Sequence, residues 1–322
     1  MSKNKSIESS RESLRLHTEG IIAEEMQEGA LKSGMVAIVG PPNAGKSTLL
    51  NVLLGQKISI VTPKPQTTRN RIIGILNDPG YQIVMLDTPG LHKAGKPLNQ
   101  EMVKIAMASL AEVDAILFLI DVSLPLPEKQ AQTVSFLESA TVPAILVLNK
   151  IDLLSPEQLL PIIEVYRKIY PFAAIVPVSA LWNRGTDVLL QELLQLLPEG
   201  PRFYPDDIPT DATERFIVGE IIREKIFLLT GQEVPYATAV VIDSFKEEAE
   251  RSLVTIHATI YVEKSSQKAI IIGKKGAKLQ QIGKNSRLDI EKLLDQRVLL
   301  KLWVKVHNNW TRDMRFIRDL GL

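Results

Sequence analysis

The chain has 322 residues, more than one typical domain, so two domains that each bury a core are expected. It contains no cysteine, which excludes disulfides, thiolate zinc sites and thiol catalysis and is compatible with a reducing cytoplasm. The net charge of +1 hides an asymmetry: from Lys264 to Leu322, 14 Lys and Arg stand against 5 Asp and Glu, as in a segment that meets a polyanion or shows a solvated basic face.

Residues 1–33 are rich in Ser, Glu and Lys and read as a poorly ordered N-terminal tail without a usable motif. The Met1 to Gly20 stretch is polar rather than signal-like, and apolar runs such as Ala115 to Ile120 and Ala144 to Leu148 are far too short to cross a bilayer, so a soluble, cytoplasmic protein is expected. From Met35 on, nearly continuous apolar strands (MVAIVG, YQIVMLD, AILFLID, AILVLNK, AIVPVS) alternate with helical patterns (STLLNVLLG, LNQEMVKIAMASLAEV, EKQAQTVSFLES, LLPIIEVYRKIY, TDVLLQELLQLL). Strands that lack polar alternation are covered on both faces, so residues 34–200 are predicted to form an α/β domain, a mostly parallel sheet with helices on both sides.

Gly40-Pro41-Pro42-Asn43-Ala44-Gly45-Lys46-Ser47 matches G-x-x-x-x-G-K-[ST] and sits between the strand MVAIV and the helix opened by Ser47 and Thr48. Its glycines let backbone N–H groups turn inward around phosphates, Lys46 supplies a cation to the β and γ phosphates, and the Ser47 hydroxyl can ligate Mg2+. The loop Gln66-Thr67-Thr68-Arg69-Asn70 follows, with Thr68 the candidate γ-phosphate sensor and Mg2+ ligand, though a Thr pair in such a loop is commonly only a turn. The strand from Tyr81 ends in Asp87-Thr88-Pro89-Gly90, where the carboxylate can hold a Mg2+-bound water and the Gly90 N–H can meet the γ-phosphate.

Asn149-Lys150-Ile151-Asp152 separates GTP from ATP. A carboxylate at Asp152 can accept from both the ring N–H and the exocyclic amino group of guanine, donors that adenine lacks in that arrangement. Ser179-Ala180-Leu181, closing the strand AIVPV, can present a backbone N–H to the guanine O6. A metabolic P-loop kinase would show no such guanine box.

The Pro- and Gly-rich stretch Leu197 to Pro209 is the linker candidate, with the linker proper at residues 201–210. Residues 211–322 then change order: a helix over Ala212 to Leu229, strands over Tyr236 to Phe245 and Leu253 to Val262, two short helices over Lys268 to Gly283, a helix over Arg287 to Leu294 and a last strand over Arg297 to Val306. This α+β pattern encloses Gly273-Lys274-Lys275-Gly276, followed by Lys278, which carries the KH signature of a Gly-x-x-Gly turn against which a nucleic-acid backbone passes. Alone, GKKG commonly means a surface turn. Trp303 is expected to pack within its strand, and Trp310 either stacks on a base or caps the core. The amphipathic stretch Phe216 to Leu229 suits a membrane surface or a KH core.

The five segments resemble the G1 to G5 boxes of the TrmE-Era-EngA-like GTPases of the translation-factor class. A single G domain with the loop Gln66-Thr67-Thr68-Arg69 and a following Gly-x-x-Gly module is similar to the Era family from Ser33 to Leu322. The resemblance implies a P-loop GTPase domain followed by a type II KH domain, GTP and GDP with Mg2+ as ligands, and slow intrinsic hydrolysis. It implies contact with the 3′ end of 16S rRNA and the small ribosomal subunit, acting in subunit assembly as a monomer, with peripheral membrane association a further candidate. Leu91 stands where many regulatory GTPases place the Gln that orients water, so the resemblance leaves the catalytic residue unassigned; His92, next to it, reads as a solvated side chain. Asn43 occupies the position that relatives with potassium-assisted hydrolysis use to hold the ion, which makes K+ a candidate cofactor.

Overall fold

The structure, a computed structural model, describes residues 31–91, 97–124, 133–138, 140–231, 233–248 and 252–321. Most of the expected tail, His92, and much of the helix expected over EKQAQTVSFLES lie outside the described residues.

Six strands form the first sheet: β1 (Lys32–Val39), β2 (Ile72–Asp78), β3 (Tyr81–Asp87), β4 (Ala115–Asp121), β5 (Ala144–Asn149) and β6 (Ala174–Val178). Their order is β2-β3-β1-β4-β5-β6, and every neighbouring pair is parallel except β2 with β3. β2 is not among the strands expected from the sequence: its run is interrupted by Gly74, a residue that lets Leu50 and Leu54 approach the strand closely. β1, expected from Met35, is extended back to Lys32 by its pairing with β3.

Successive strand residues point to opposite faces, and both faces are covered. Val36, Ile38, Ile83, Leu117 and Val147 pack against α1 (Lys46–Leu54) and α4 (Thr186–Leu196). Ala37, Val84, Leu86, Phe118 and Leu146 pack against α2 (Pro97–Leu110) and α3 (Pro156–Ile169).

The second unit comprises α5 (Glu214–Leu229), β7 (Thr238–Glu248), β8 (Leu253–Val262), α6 (Ser265–Ile272), α7 (Ala277–Leu294), β9 (Arg297–Val306) and α8 (Met314–Asp319). β7 pairs antiparallel with β8, and β8 pairs parallel with β9. Two expectations need correction. The separate helix placed at Arg287 to Leu294 is the second half of α7, which carries Gly283 in its interior where the Leu302 side chain approaches. α8, only six residues long, had not been anticipated.

The segment proposed as linker is fastened to the first sheet. Gln82 Oε1 accepts from the backbone N–H groups of Phe203 (2.6 Å) and Tyr204 (3.0 Å), Ile75 N–H donates to Pro209 O (2.8 Å), and Thr210 Oγ1 donates to Ile73 O (2.6 Å). α5 buries residues all round its circumference, from Val218 and Ile222 to Arg223 and Glu224, as a helix does when covered on both sides. Its second cover is the loop that carries Thr67 and Thr68. Lys64 Nζ donates to the carbonyls of Phe227 and Thr230 at the C-terminal end of α5, where cations are favoured. Glu224 accepts from Val61 N–H (3.1 Å) and pairs with Lys57 (2.7 Å), and Arg223 donates to Thr67 O.

Arg69, also buried, adds three more hydrogen bonds. Its guanidinium donates to the carbonyls of Thr238 (2.7 Å), Tyr236 (2.9 Å) and Pro235 (3.2 Å) and lies 5.6 Å from the centre of the Trp310 ring. Burial, then the nearby Arg223 charge, lowers its pKa to about 9, so the group stays charged at neutral pH. Arg69→Ala leaves three buried carbonyls short of a donor and is expected to cost about 2–4 kcal/mol in chemical denaturation. Arg69→Lys is expected to recover only part of this, because an ammonium cannot reproduce the fork.

Candidate functional site

The turn between β1 and α1 places the Gly40 to Thr48 segment at the C-terminal edge of the parallel sheet, where open α/β sheets bind ligands. Gly45 caps α1 with φ of 99°, and a Cβ there would lie 2.1 Å from Asn149 Nδ2, so only glycine fits. Asn149 Nδ2 donates to Ala44 O (2.7 Å), and its Oδ1 accepts from Ala180 N–H (3.0 Å). One side chain therefore ties the phosphate loop to the Ser179-Ala180-Leu181 segment.

A cavity of about 600 Å3 opens over this edge. Of the residues singled out in the sequence, Pro42, Asn43, Gly45, Lys46, Ser47, Thr48, Gln66, Thr67, Thr68, Gly90, Asn149, Lys150, Asp152, Ala180 and Leu181 line it. Arg69 and Asn70, read as members of the same loop, leave it. The Arg69 side chain is engaged by the second domain, and Asn70 lines a separate cavity between the domains.

Three oxygens converge at the phosphate end. Ser47 Oγ donates to Asp87 Oδ2 (2.6 Å) and lies 2.8 Å from Thr68 Oγ1, which is itself 3.5 Å from the same carboxylate oxygen. Thr67, by contrast, closes its own loop through Lys64 O (2.7 Å) and Thr62 Oγ1 (2.7 Å). Burial raises the Asp87 pKa, and the Ser47 hydrogen bond, the Lys46 charge and bonds from Ser59 and Thr68 oppose the rise. Asp87 Oδ1 is buried with no hydrogen-bonding partner among the described residues. Clustered hydroxyl and carboxylate oxygens with an unsatisfied lone pair are the donor set of a hard divalent cation, so these residues fit Mg2+. Lys46 donates to the carbonyls of Gly40 (3.2 Å) and Pro41 (3.1 Å), and burial lowers its pKa to about 8 against the pull of Asp87. An anionic phosphate beside that ammonium offsets the cost of burying it.

At the base end, Ser179 Oγ donates to Asp152 Oδ1 (2.5 Å), holding one carboxylate oxygen in place, and Lys150 pairs with Asp121 (2.5 Å). The N–H groups of Ser179 and Ala180 are engaged by Arg184 O (2.9 Å) and Asn149 Oδ1 (3.0 Å). Ser59 and Asp121 were missed in the sequence. Ser59 donates to Asp87 Oδ2 (2.8 Å) from a loop without a pattern, whereas Asp121 ends an apolar strand beside β5, a position that a systematic scan of strand C-termini would have picked out.

Leu91 is only 1% exposed and packs with Ala37, Val84 and Leu86, while its N–H donates to Gly40 O (3.0 Å). Leu91→Ala is expected to lower stability by about 2–5 kcal/mol, as cavities of that kind do. Its turnover, measured well below the melting transition, should stay within about tenfold of the parent, since a direct catalytic group removed costs a hundredfold or more.

In the second domain, Gly273, Lys274, Lys275 and Gly276 form the turn between α6 and α7, with φ of 73° at Gly273, 52° at Lys275 and 82° at Gly276. Lys274 and Lys275 are exposed at its tip. Trp310 takes the core-capping alternative, and Trp303 departs from the packing expected of it. Trp310 is fully buried, donates from Nε1 to Ala237 O (2.8 Å) and caps the core with Leu98, Met102 and Ile317. Trp303 is 45% exposed.

Two family models match the chain: a 50S ribosome-binding GTPase over residues 35–150 and a KH domain over residues 233–311. GTPase Era of Geobacter metallireducens is 51% identical over 296 residues, covering 92% of this chain and 99% of that protein. GTPase Era of Geobacter sp. strain M21 is 54% identical over 297 residues with the same coverage. Among solved structures, an Era variant from Aquifex aeolicus bound to GDP and AlF4− aligns with a TM-score of 0.88 and 42% identity, over 90% of this chain and 99% of that one. Era in complex with MgGDPNP and nucleotides 1506–1542 of 16S ribosomal RNA aligns equally well, with 43% identity. A P-loop GTPase domain followed by a KH domain, with relatives this similar over nearly their full length, places the chain in the Era family of GTPases.

Proposed function

We propose that the protein hydrolyses GTP in the cavity above the first sheet, binds single-stranded RNA at the Gly273 to Gly276 turn, and acts on the 3′ end of 16S rRNA during assembly of the small ribosomal subunit. The observation that carries the reading is the continuity between the two sites. Thr68 lies at the phosphate end of the cavity, and its neighbours Lys64, Thr67 and Arg69 are bonded to the second domain. A γ-phosphate that engages Thr68 therefore pulls on a loop already anchored to α5 and β7, the kind of contact on which nucleotide-dependent switching depends.

Within that reading, the backbone N–H groups of the Gly40 to Ser47 loop cradle the phosphates and Lys46 neutralises them. Ser47 and Thr68 are the hydroxyls that would hold Mg2+, with Asp87 acting through a bound water; the ion's chemistry is to neutralise charge on the β and γ phosphates. Asp152 reads the base. The solved Era complex with MgGDPNP and 16S nucleotides supports carrying nucleotide, Mg2+ and rRNA over to this chain. Cytoplasmic location, a monomeric state and peripheral membrane association belong to the same proposal; no helix among the described residues is long and apolar enough to cross a membrane.

Phosphate release from GTP and from ATP, with and without single-stranded RNA, tests the reading. Release from GTP alone, altered by RNA, supports it; comparable release from both nucleotides defeats it. Potassium is a separate question. Asn43 Nδ2 donates to Pro63 O (3.0 Å), which puts its amide beside a carbonyl from the opposite wall of the cavity. If that pair helps hold K+, exchanging K+ for Na+ at constant ionic strength slows hydrolysis; equal rates in both salts remove the ion from the proposal.

A further inference from the structure

The KH sheet has two faces: α5, α6 and α7 cover one, and the other is covered only at one end. Val254, Ile256, Ala258 and Ile260 of β8, with Val298 and Val304 of β9, point to the core. Alternation sends the residues between them to the other face. There the register sets Lys301 beside His257, Trp303 beside Thr259 and Lys305 beside Tyr261. α8 and the Trp310 cluster close the Tyr261 end, where Phe316 packs on the Tyr261 ring at 5.1 Å. The remainder stays open: Lys301, Trp303 and Lys305 are exposed.

Trp303 has the surroundings of a stacking platform rather than of a packing residue. Its ring meets His257 at 5.2 Å and 71°, leaving nearly half of its surface to solvent. Lys301 and Lys305 flank it at alternate positions of the same strand, and neither forms an ion pair with a described residue. The acidic groups on this face stand apart or are engaged: Asp243 accepts from Thr259 (2.7 Å), and Glu248 sits at the far end, opposite Leu253. An exposed indole between two free cations suits a base and the phosphates on either side of it. β9 is also the edge strand, and α7 packs on its inner side through Gly283 and Leu302. One strand's thickness thus separates the helices of the GKKG turn from the open face.

We propose that Trp303, Lys301 and Lys305 form a second contact for single-stranded RNA, on the open face of the KH sheet, that takes a base beyond those held at the GKKG turn. The proposal rests on the RNA-binding reading above and extends it to a surface outside the KH groove.

The test compares two unstructured oligoribonucleotides, one of about four nucleotides, the span of a KH groove, and one of roughly twelve. Trp303→Ala is expected to weaken the longer strand by roughly tenfold, within the range that loss of one stacked base produces, and to leave the shorter unchanged. Trp303→Phe should restore most of the loss. Lys301→Glu with Lys305→Glu, both at exposed positions, should flatten the salt dependence for the longer strand by about 1.4 units, at about 0.7 per single-strand phosphate contact. The chain has three tryptophans, and Trp310 is buried. In a Trp182→Phe background, RNA-dependent quenching should therefore come from Trp303. Parental affinity of these variants for the longer strand overturns the proposal, as does an equal loss for both lengths. Lost binding to phosphatidylglycerol vesicles with RNA affinity intact assigns the face to a membrane and overturns it too. The GKKG reading is judged separately, by whether the short strand still binds after substitution of Lys274 and Lys275.

Discussion

Changing Lys274 and Lys275 together to Asp is expected to abolish single-stranded RNA binding while leaving guanine-nucleotide affinity untouched. Both side chains are exposed at the tip of the turn between α6 and α7, and neither forms an ion pair with a described residue, so nothing in the fold depends on their charge. Lys275 already adopts φ of 52°, a conformation that Asp tolerates better than most residues, which removes backbone strain as an alternative explanation. A phosphate passing the turn exchanges two attractive charges for two repulsive ones, and like-charge contacts of that kind cost several kcal/mol, or at least about a hundredfold in affinity. Each lost contact also flattens the logarithmic salt dependence by about 0.7 units. The nucleotide cavity is built from residues between Pro42 and Leu181 on a separate core, so GDP affinity serves as the internal control. Parental RNA affinity and salt slope in the double variant would reduce the GKKG sequence to an ordinary surface turn.

What could be read from the sequence was local. The Gly40 to Ser47 loop, the Asp87 to Gly90 turn and the Asn149 to Asp152 box each declare themselves within a few residues, because the chemistry of phosphate and guanine requires particular groups on one turn of chain. Contacts between distant segments left no comparable mark. Ser59 reaches Asp87 across 28 positions, and Asp121 meets Lys150 across 29. The sequence showed Arg69 as part of a phosphate-sensing loop, yet its guanidinium lies against three carbonyls of the second domain, a destination no periodicity encodes. The tryptophans teach the same lesson in reverse. Trp303 lies between Leu302 and Val304 in an unbroken apolar run, as a residue of a strand buried on both faces would, but the outer side of this sheet is covered only at one end, and only the register shows which side Trp303 takes. The missed β2 is a third case: Gly74 weakens the run as a pattern while making the strand possible, because α1 packs directly over it.

Asp152→Asn is expected to lower GTP affinity by on the order of a hundredfold or more and to create affinity for xanthosine triphosphate in its place. Ser179 orients the side chain at position 152. Its hydroxyl donates to Asp152 Oδ1 at 2.5 Å, a bond that the amide oxygen of the Asn variant keeps by taking the same position. That placement leaves the NH2 group facing the base. Guanine presents its ring N–H and exocyclic amino group to this point, so donor now meets donor, and a buried mismatch costs far more than a lost bond at the surface. Xanthine carries a carbonyl where guanine carries the amino group, and the amide can donate to it. The same geometry predicts that Ser179→Ala frees the amide to rotate, so that adding it to Asp152→Asn weakens the xanthine preference without restoring guanine affinity. Competition of GTP, XTP and ATP against a labelled GDP analogue measures all three. An Asp152→Asn protein that kept parental discrimination for guanine over xanthine would show that the base is read elsewhere, with the Leu181 N–H the next group to examine at that end of the cavity.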